Sequence, residues 1–143
     1  MRTTHACPPI TVSALILGLV AGCNGASSPP APVAGNVSFR GMPLRGGTIV
    51  FIPDASRGNS GSLVRGAIQS DGSYRLQGEN GSPGAPAGWY RVTILAIDGF
   101  AYAGNAAYVP RSLLPDKYRD PDLSGLGCEV KPGHDNQINF NLD

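Results

Sequence analysis

The residues of this 143-residue chain whose types permit chemistry are three cysteines, two histidines and a run of aspartates. Cys23 lies in "LGLVAGCNGASSPP", Leu17 to Pro30, directly after an apolar run and directly before a Gly/Ser/Pro segment. A disulfide, a buried thiol and a lipid attachment point are three different uses for a cysteine placed there. Cys128, in "GLGCEVKPG", shares strand parity with Val130 and reads as a small buried hydrophobe, with a reactive thiol or an intermolecular partner as alternatives. His134 sits in the Pro-Gly turn "KPGHDNQ", and His5 is near the start of the chain. One histidine outside that early segment does not make a His-rich zinc or iron site. Asp116, Asp120 and Asp122, in "LPDKYRDPDLSG", offer oxygens to calcium. They lack the Gly-centred spacing of an EF-hand, and Lys117 and Arg119 offset their charge, so a solvated loop pinned by Pro115 and Pro121 is the stronger reading. No nucleophile–base pair or paired-acid constellation is present, and no catalytic residue, metal or cofactor is expected.

The early segment has the composition of a processing signal. Arg2 gives a weakly positive start, and Ile10 to Val20, "ITVSALILGLV", is uncharged and mostly apolar. It is too short to span a bilayer as a helix, which takes roughly 20 residues, and it suits the apolar region of a secretory signal. Val20, Ala21, Gly22 and Cys23 then resemble the bacterial lipobox. The resemblance implies cleavage between Gly22 and Cys23, a thioether-linked diacylglycerol on Cys23, and acylation of the new N-terminus, a palmitate-type anchor. The alternatives are an ordinary secretory signal with an incidental cysteine, or a buried N-terminal helix. With Cys7 removed and Cys23 lipidated, Cys128 has no intramolecular disulfide partner. Each buried CH₂ contributes about 0.8 kcal/mol and one acyl chain holds only marginally, so the two or three chains on one residue decide the attachment. Asn24 stands where Asp is the familiar inner-membrane retention signal, which favours the outer membrane.

Residues 23–32 read as a flexible Gly/Ser/Pro tether, stiffened at Pro29-Pro30. At about 3.1 Å per residue, Asn24 to Pro32 reaches on the order of 28 Å. Charged residues make up 15% of the chain. Beyond residue 22, ten basic residues face ten acidic ones. That balance provides no basic patch, so neither nucleic acid nor a polybasic membrane contact is an expected partner.

From Val33 onward the hydrophobic period is two, the signature of strands. "VAGNVSFRG" alternates at Val37 and Phe39, and "SLVRGAIQS" is interrupted by Gly66. "GGTIVFIPD" is apolar on both faces, as a strand covered on both sides would be. Asp71-Gly72 is the strongest hairpin signal, and Tyr74 and Leu76 follow it on one face. "GWYRVTILAI" is the longest candidate, and "GLGCEVKPG" with "NQINFNLD" reads as a closing hairpin. Seven short strands without a helix predict an all-β domain over residues 33–143, most economically a β-sandwich.

Gly72-Ser73-Tyr74-Arg75-Leu76 and Gly88-Trp89-Tyr90-Arg91-Val92 share the pattern Gly-x-Tyr-Arg-apolar, and three connections carry motifs of their own. Gly41, Pro43, Leu44 and Gly46 join the first two strands, Asp71, Gly72 and Tyr74 form the hairpin, and Pro86, Gly88, Tyr90 and Val92 open the longest strand. Together they resemble the transthyretin-like, or carboxypeptidase-regulatory-like, domain. The resemblance covers Val33 to about Ile97 and resumes at "LLPDKYRDPDLSGL" and the final strands. It implies a seven-stranded Greek-key sandwich used mostly as a structural or binding module. Transthyretin-like hydrolases use several histidines and a Tyr-Arg-Gly-Ser-type end, where this chain has Asn141-Leu142-Asp143. That activity therefore does not carry over.

The connection from Asp98 to Gly127 lacks periodicity and is long for a compact domain, which invites a functional reading. Phe100, Tyr102, Tyr108 and Tyr118 lie in it, as ligand contacts for a glycan or peptide, or as structural cover closing one end of the core. The expectation is a membrane-anchored, non-enzymatic binding or structural lipoprotein of the bacterial cell envelope, with a glycan or an envelope protein as partner. A carbohydrate- or peptide-binding lipoprotein using the 98–127 loop is the alternative, and a hydrolase is the weakest reading.

Overall fold

The computed structural model describes residues 29–78, 80–98 and 111–143, and these are all-β with two short 3-10 turns. The nine strands are β1 (Val33–Phe39), β2 (Met42–Pro43), β3 (Gly47–Pro53), β4 (Val64–Ile68), β5 (Ser73–Arg75), β6 (Gly88–Leu95), β7 (Gly127–Val130), β8 (Asn136–Gln137) and β9 (Phe140–Leu142). Hydrogen bonding runs continuously in the order β2-β1-β5-β4-β3-β6-β7, with β8 and β9 also on β1. Every pairing is antiparallel except those of β8 and β9 with β1, which are parallel.

Turn chemistry sets the registers. Phe39 pairs with Met42 across Arg40 (φ 51°) and Gly41 (φ 78°), the left-handed pair that a two-residue hairpin of matching twist requires. The Asp71-Gly72 hairpin forms as its sequence predicts. The Asp71 carboxylate accepts from the Ser73 amide at 2.9 Å and the Ser73 hydroxyl at 2.6 Å, and Gly72 takes φ 84°.

Pairing starts before Val33. Ala31 and Ala85 exchange two backbone hydrogen bonds of 2.8 and 3.0 Å, and Ala31 is buried. The fold therefore begins inside the segment expected to be tether.

The closing hairpin does not form. β7 pairs with β6, whereas β8 and β9 cross to the free edge of β1 and run parallel to it. The Val37 amide and carbonyl bond Gly72 and Leu44 on one edge, while the Ala34 carbonyl and Asn36 amide reach Ile138 and the Asn139 side chain on the other. Without the return segment that second edge would present unpaired backbone groups. Asn136 closes the turn between the two ends of the sheet: its Oδ1 accepts from the Lys131 amide, and its Nδ2 donates to the Lys131 and His134 carbonyls. The sheet is thereby curled around its own apolar face.

Phe51, fully buried, is the centre of that face. Its ring lies 5.7 Å from Tyr90, 6.1 Å from Phe140 and 6.3 Å from Tyr74, in tilted or edge-on packing. Ile49, Val92, Ile94, Leu76 and Val130 fill the remainder. Each such side chain contributes roughly 1.5–3 kcal/mol on burial. β3 departs from its sequence reading: Ile49 and Phe51 are buried, but Val50 and Ile52 on the opposite face are only half-covered.

Candidate functional site

Cys23, the Gly22–Cys23 cleavage point and the aromatic residues Phe100, Tyr102 and Tyr108 lie outside the described residues. The connection that holds the aromatics is tied at both ends. The Asp98 amide donates to the Arg111 carbonyl at 3.1 Å, and the Leu113 amide to the Ala96 carbonyl at 2.9 Å. Residues 111–127 then return along β6, where the Ser124 hydroxyl donates to the Val92 carbonyl and the Val92 amide to the Leu126 carbonyl.

Tyr118, named from the sequence as a ligand contact, is 2% exposed. It sits in the 3-10 turn Asp116–Arg119, and its hydroxyl donates to Asp143 Oδ1 at 2.6 Å. Its ring belongs to the core, which corresponds to the cover reading for this residue.

The other reactive types are dispersed. Asp116 faces Arg119 at 3.7 Å, Asp120 accepts from the Asp122 amide, and Asp122 pairs with Arg91. Among the described residues no group of three or more metal-ligating side chains converges. Cys128 stands opposite Tyr90 and packs against the core, and desolvation pushes its thiol up to about 12. A thiol with that value is protonated at neutral pH and is a poor nucleophile. His134 is exposed, and its carbonyl takes part in the Asn136 turn.

Two concavities stand out among the described residues. The smaller, about 580 Å³, lies over the start of β6, between Asp54, Trp89, Arg91 and Asp122. Its polar groups are committed to one another. The nearly buried Asp54 accepts from the Ser56 hydroxyl at 2.6 Å and the Ser56 amide at 3.1 Å, with Arg91 at 3.4 Å and Arg57 at 3.7 Å. The Ser56 hydroxyl, opposed by desolvation and helped by Arg91, holds the Asp54 carboxyl below its ordinary value. Arg57 covers the Trp89 ring at 4.2 Å from its centroid, so the chain's single tryptophan is stacked by its own cation. This cluster joins β3, β6 and the returning segment, a structural task.

The larger concavity, about 940 Å³, lies on the outer face of β1, β5, β4 and β3. Pairing places Ala34 opposite Arg75, Thr48 opposite Ala67 and Arg65 opposite Gln77. Arg75 thus lies between the small side chains of Ala34 and Ala67 on the neighbouring strands. Gln69, Ser73, Asn36 and Gln137 complete a hydrogen-bonding surround. Among the described residues neither arginine has an ion pair, and none lining the face is acidic. Two acids stand in the adjoining turns: Asp71, whose carboxylate is taken up by the Ser73 amide and hydroxyl, and Glu79, which lies outside the described residues.

Sequence reasoning passed over this face, although a signal for it is present. In "VRGAIQ" and "SYRLQ" the polar residues Arg65, Gln69, Ser73, Arg75 and Gln77 share the parity opposite the buried ones. The Asp71-Gly72 hairpin superposes the two sets. Comparison with protein-family models, with curated proteins and with solved structures gives no match to this chain.

Proposed function

We propose that this chain is a lipid-anchored, non-enzymatic binding module of the bacterial cell envelope, held by acyl chains on Cys23 and favouring the outer membrane. Its folded part is read as a transthyretin-like Greek-key sandwich, which the curled all-β sheet and the turn motifs at Gly41–Gly46, Asp71–Tyr74 and Pro86–Val92 support. The observation that carries the reading is the sequence of parts: a lipobox-like Val20-Ala21-Gly22-Cys23, a Gly/Ser/Pro segment, and a fold that starts at Ala31. The seven residues from Asn24 to Pro30 give the domain about 22 Å of reach in an extended Pro-type conformation. That length lets the polar outer face of the sheet stand clear of lipid headgroups.

Expression in a Gram-negative host followed by intact-mass analysis of the membrane fraction tests this. A thioether-linked, acylated residue 23 with residues 1–22 removed is expected, and Cys23→Ala is expected to leave the membrane fraction. An unmodified Cys23 on a chain that retains Met1 would refute the anchor.

A further inference from the structure

The outer face of β4, β5 and β1 has the chemistry of a receptor, and the occupant it fits is a sparsely charged, hydroxyl-rich polymer. Arg65 and Arg75 are diagonal neighbours on adjacent strands, a spacing of about 7–8 Å between backbone positions. Both arginines are exposed, in a domain whose basic and acidic residues balance in number only when these two are counted. Each offers the planar fork that takes a carboxylate on two parallel N–H donors. Around them stand the amides of Gln69, Gln77 and Gln137, which present donor and acceptor side by side, as vicinal hydroxyls need. The alanines beside Arg75 leave room for a ring to lie against the sheet.

The same inventory argues against other polymers. Two cations are few for a nucleic-acid backbone, which carries a charge about every 1.7 Å along the duplex. The lining also has no exposed aromatic or large apolar side chain to anchor a peptide. We infer that this face binds a carboxylated polysaccharide, with Arg65 and Arg75 on successive carboxylates and the glutamines on sugar hydroxyls. The inference deepens the binding-module reading and rests on it, but not on the lipid.

The test uses full-length protein in detergent micelles, whether or not residue 23 proves acylated, so failure of the anchor and failure of the face are read separately. Oligogalacturonate, a neutral galactan oligomer and poly-glutamate are titrated calorimetrically. Binding to the uronate is expected, at least about tenfold tighter than to either other polymer, and weakening as salt is raised. Arg65→Ala and Arg75→Ala should each reduce it by about tenfold or more, as loss of a charge-assisted hydrogen bond does. Ala67→Glu, which sets a carboxylate opposite Arg75, should abolish it. These exposed positions leave the urea midpoint in place, which confirms that the variants are folded. Equal binding of galactan or of poly-glutamate, or uronate binding untouched by the arginine substitutions, would overturn the proposal, as would no uronate binding at all.

Discussion

Tyr74 combines three features of this fold in one side chain. Its ring is buried 6.3 Å from Phe51, its backbone pairs with Gly35, and its hydroxyl crosses β1 to donate to the Ile138 carbonyl at 2.7 Å. The path exists because residue 35 has no side chain: a Cβ there would stand 1.8 Å from that same carbonyl oxygen and 3.1 Å from the ring. Tyr90 repeats the device at shorter range along the chain, donating to the Pro86 carbonyl at 2.8 Å, four residues back across Gly88. Tyr74→Phe should therefore cost about 1–3 kcal/mol, since it leaves a partly buried carbonyl without its donor. Gly35→Ala should cost more, because the backbone of β1 or of residue 138 must move. The double variant should be less damaging than the sum of the two, since both act on one oxygen. Urea unfolding followed by the fluorescence of Trp89, the only tryptophan, reads all three. Additive losses would show that the two residues act independently.

Strand existence was legible because a period of two reports which face a residue takes, and "NVSF" and "TIVF" alternate around the buried Val37, Ile49 and Phe51; in "YRVTI" the period shows in residue type, although Thr93 is buried as well. The Asp71-Gly72 turn was legible because two adjacent residues supply all its geometry. Which strand lies beside which is different information. Phe140 and Leu142 have the correct parity for a hairpin with β7, yet they pair with Val37 and Phe39, over a hundred residues upstream. Nothing local distinguishes those partners. The deciding residue is Asn136, whose side chain makes the four turn contacts with Pro32, Lys131 and His134. A single polar residue in a turn gives no periodic signal. The outer face was missed for a related reason: Arg65 and Arg75 look like ordinary exposed charges until the hairpin places them diagonally. At this scale Asn136→Ala is expected to destabilise by about 2–3 kcal/mol, through several unmade hydrogen bonds at a buried position. Hydrogen exchange should rise first in Phe140–Leu142 and along the facing edge of β1, with β3 and β6 still protected. Uniform loss of protection would mean that the parallel edge does not open separately.

For the molecule as a whole, the ionisable groups bound a pH range from two sides. Asp54, Asp71 and Asp143 are all held below the ordinary carboxylate value of 3.8, chiefly by the hydroxyls of Ser56, Ser73 and Tyr118 respectively. Groups depressed in the folded state stabilise it above the unfolded value, and that contribution is lost as pH falls through the folded values. Cys128 is pushed from 9.0 to about 12, and Tyr74 and Tyr90 are raised from 10.0, all three chiefly by desolvation. For these the sign reverses. Below pH 9 both states keep their protons, whereas above it the unfolded chain ionises and the folded one cannot follow, so stability falls as pH rises towards the folded values. Urea midpoints should accordingly be flat from about pH 5 to pH 8.5, decline in acid below about 4, and decline in base from about 9 upward. Tyr74→Phe and Cys128→Ala should lower the plateau yet each flatten the alkaline limb, because the ionisation each removes can no longer favour the unfolded chain. An alkaline limb of unchanged slope in both variants would place the titrating group elsewhere. The acid limb should be untouched by either substitution and softened by Asp71→Asn, whose turn sits at the end of the face that carries Arg65 and Arg75.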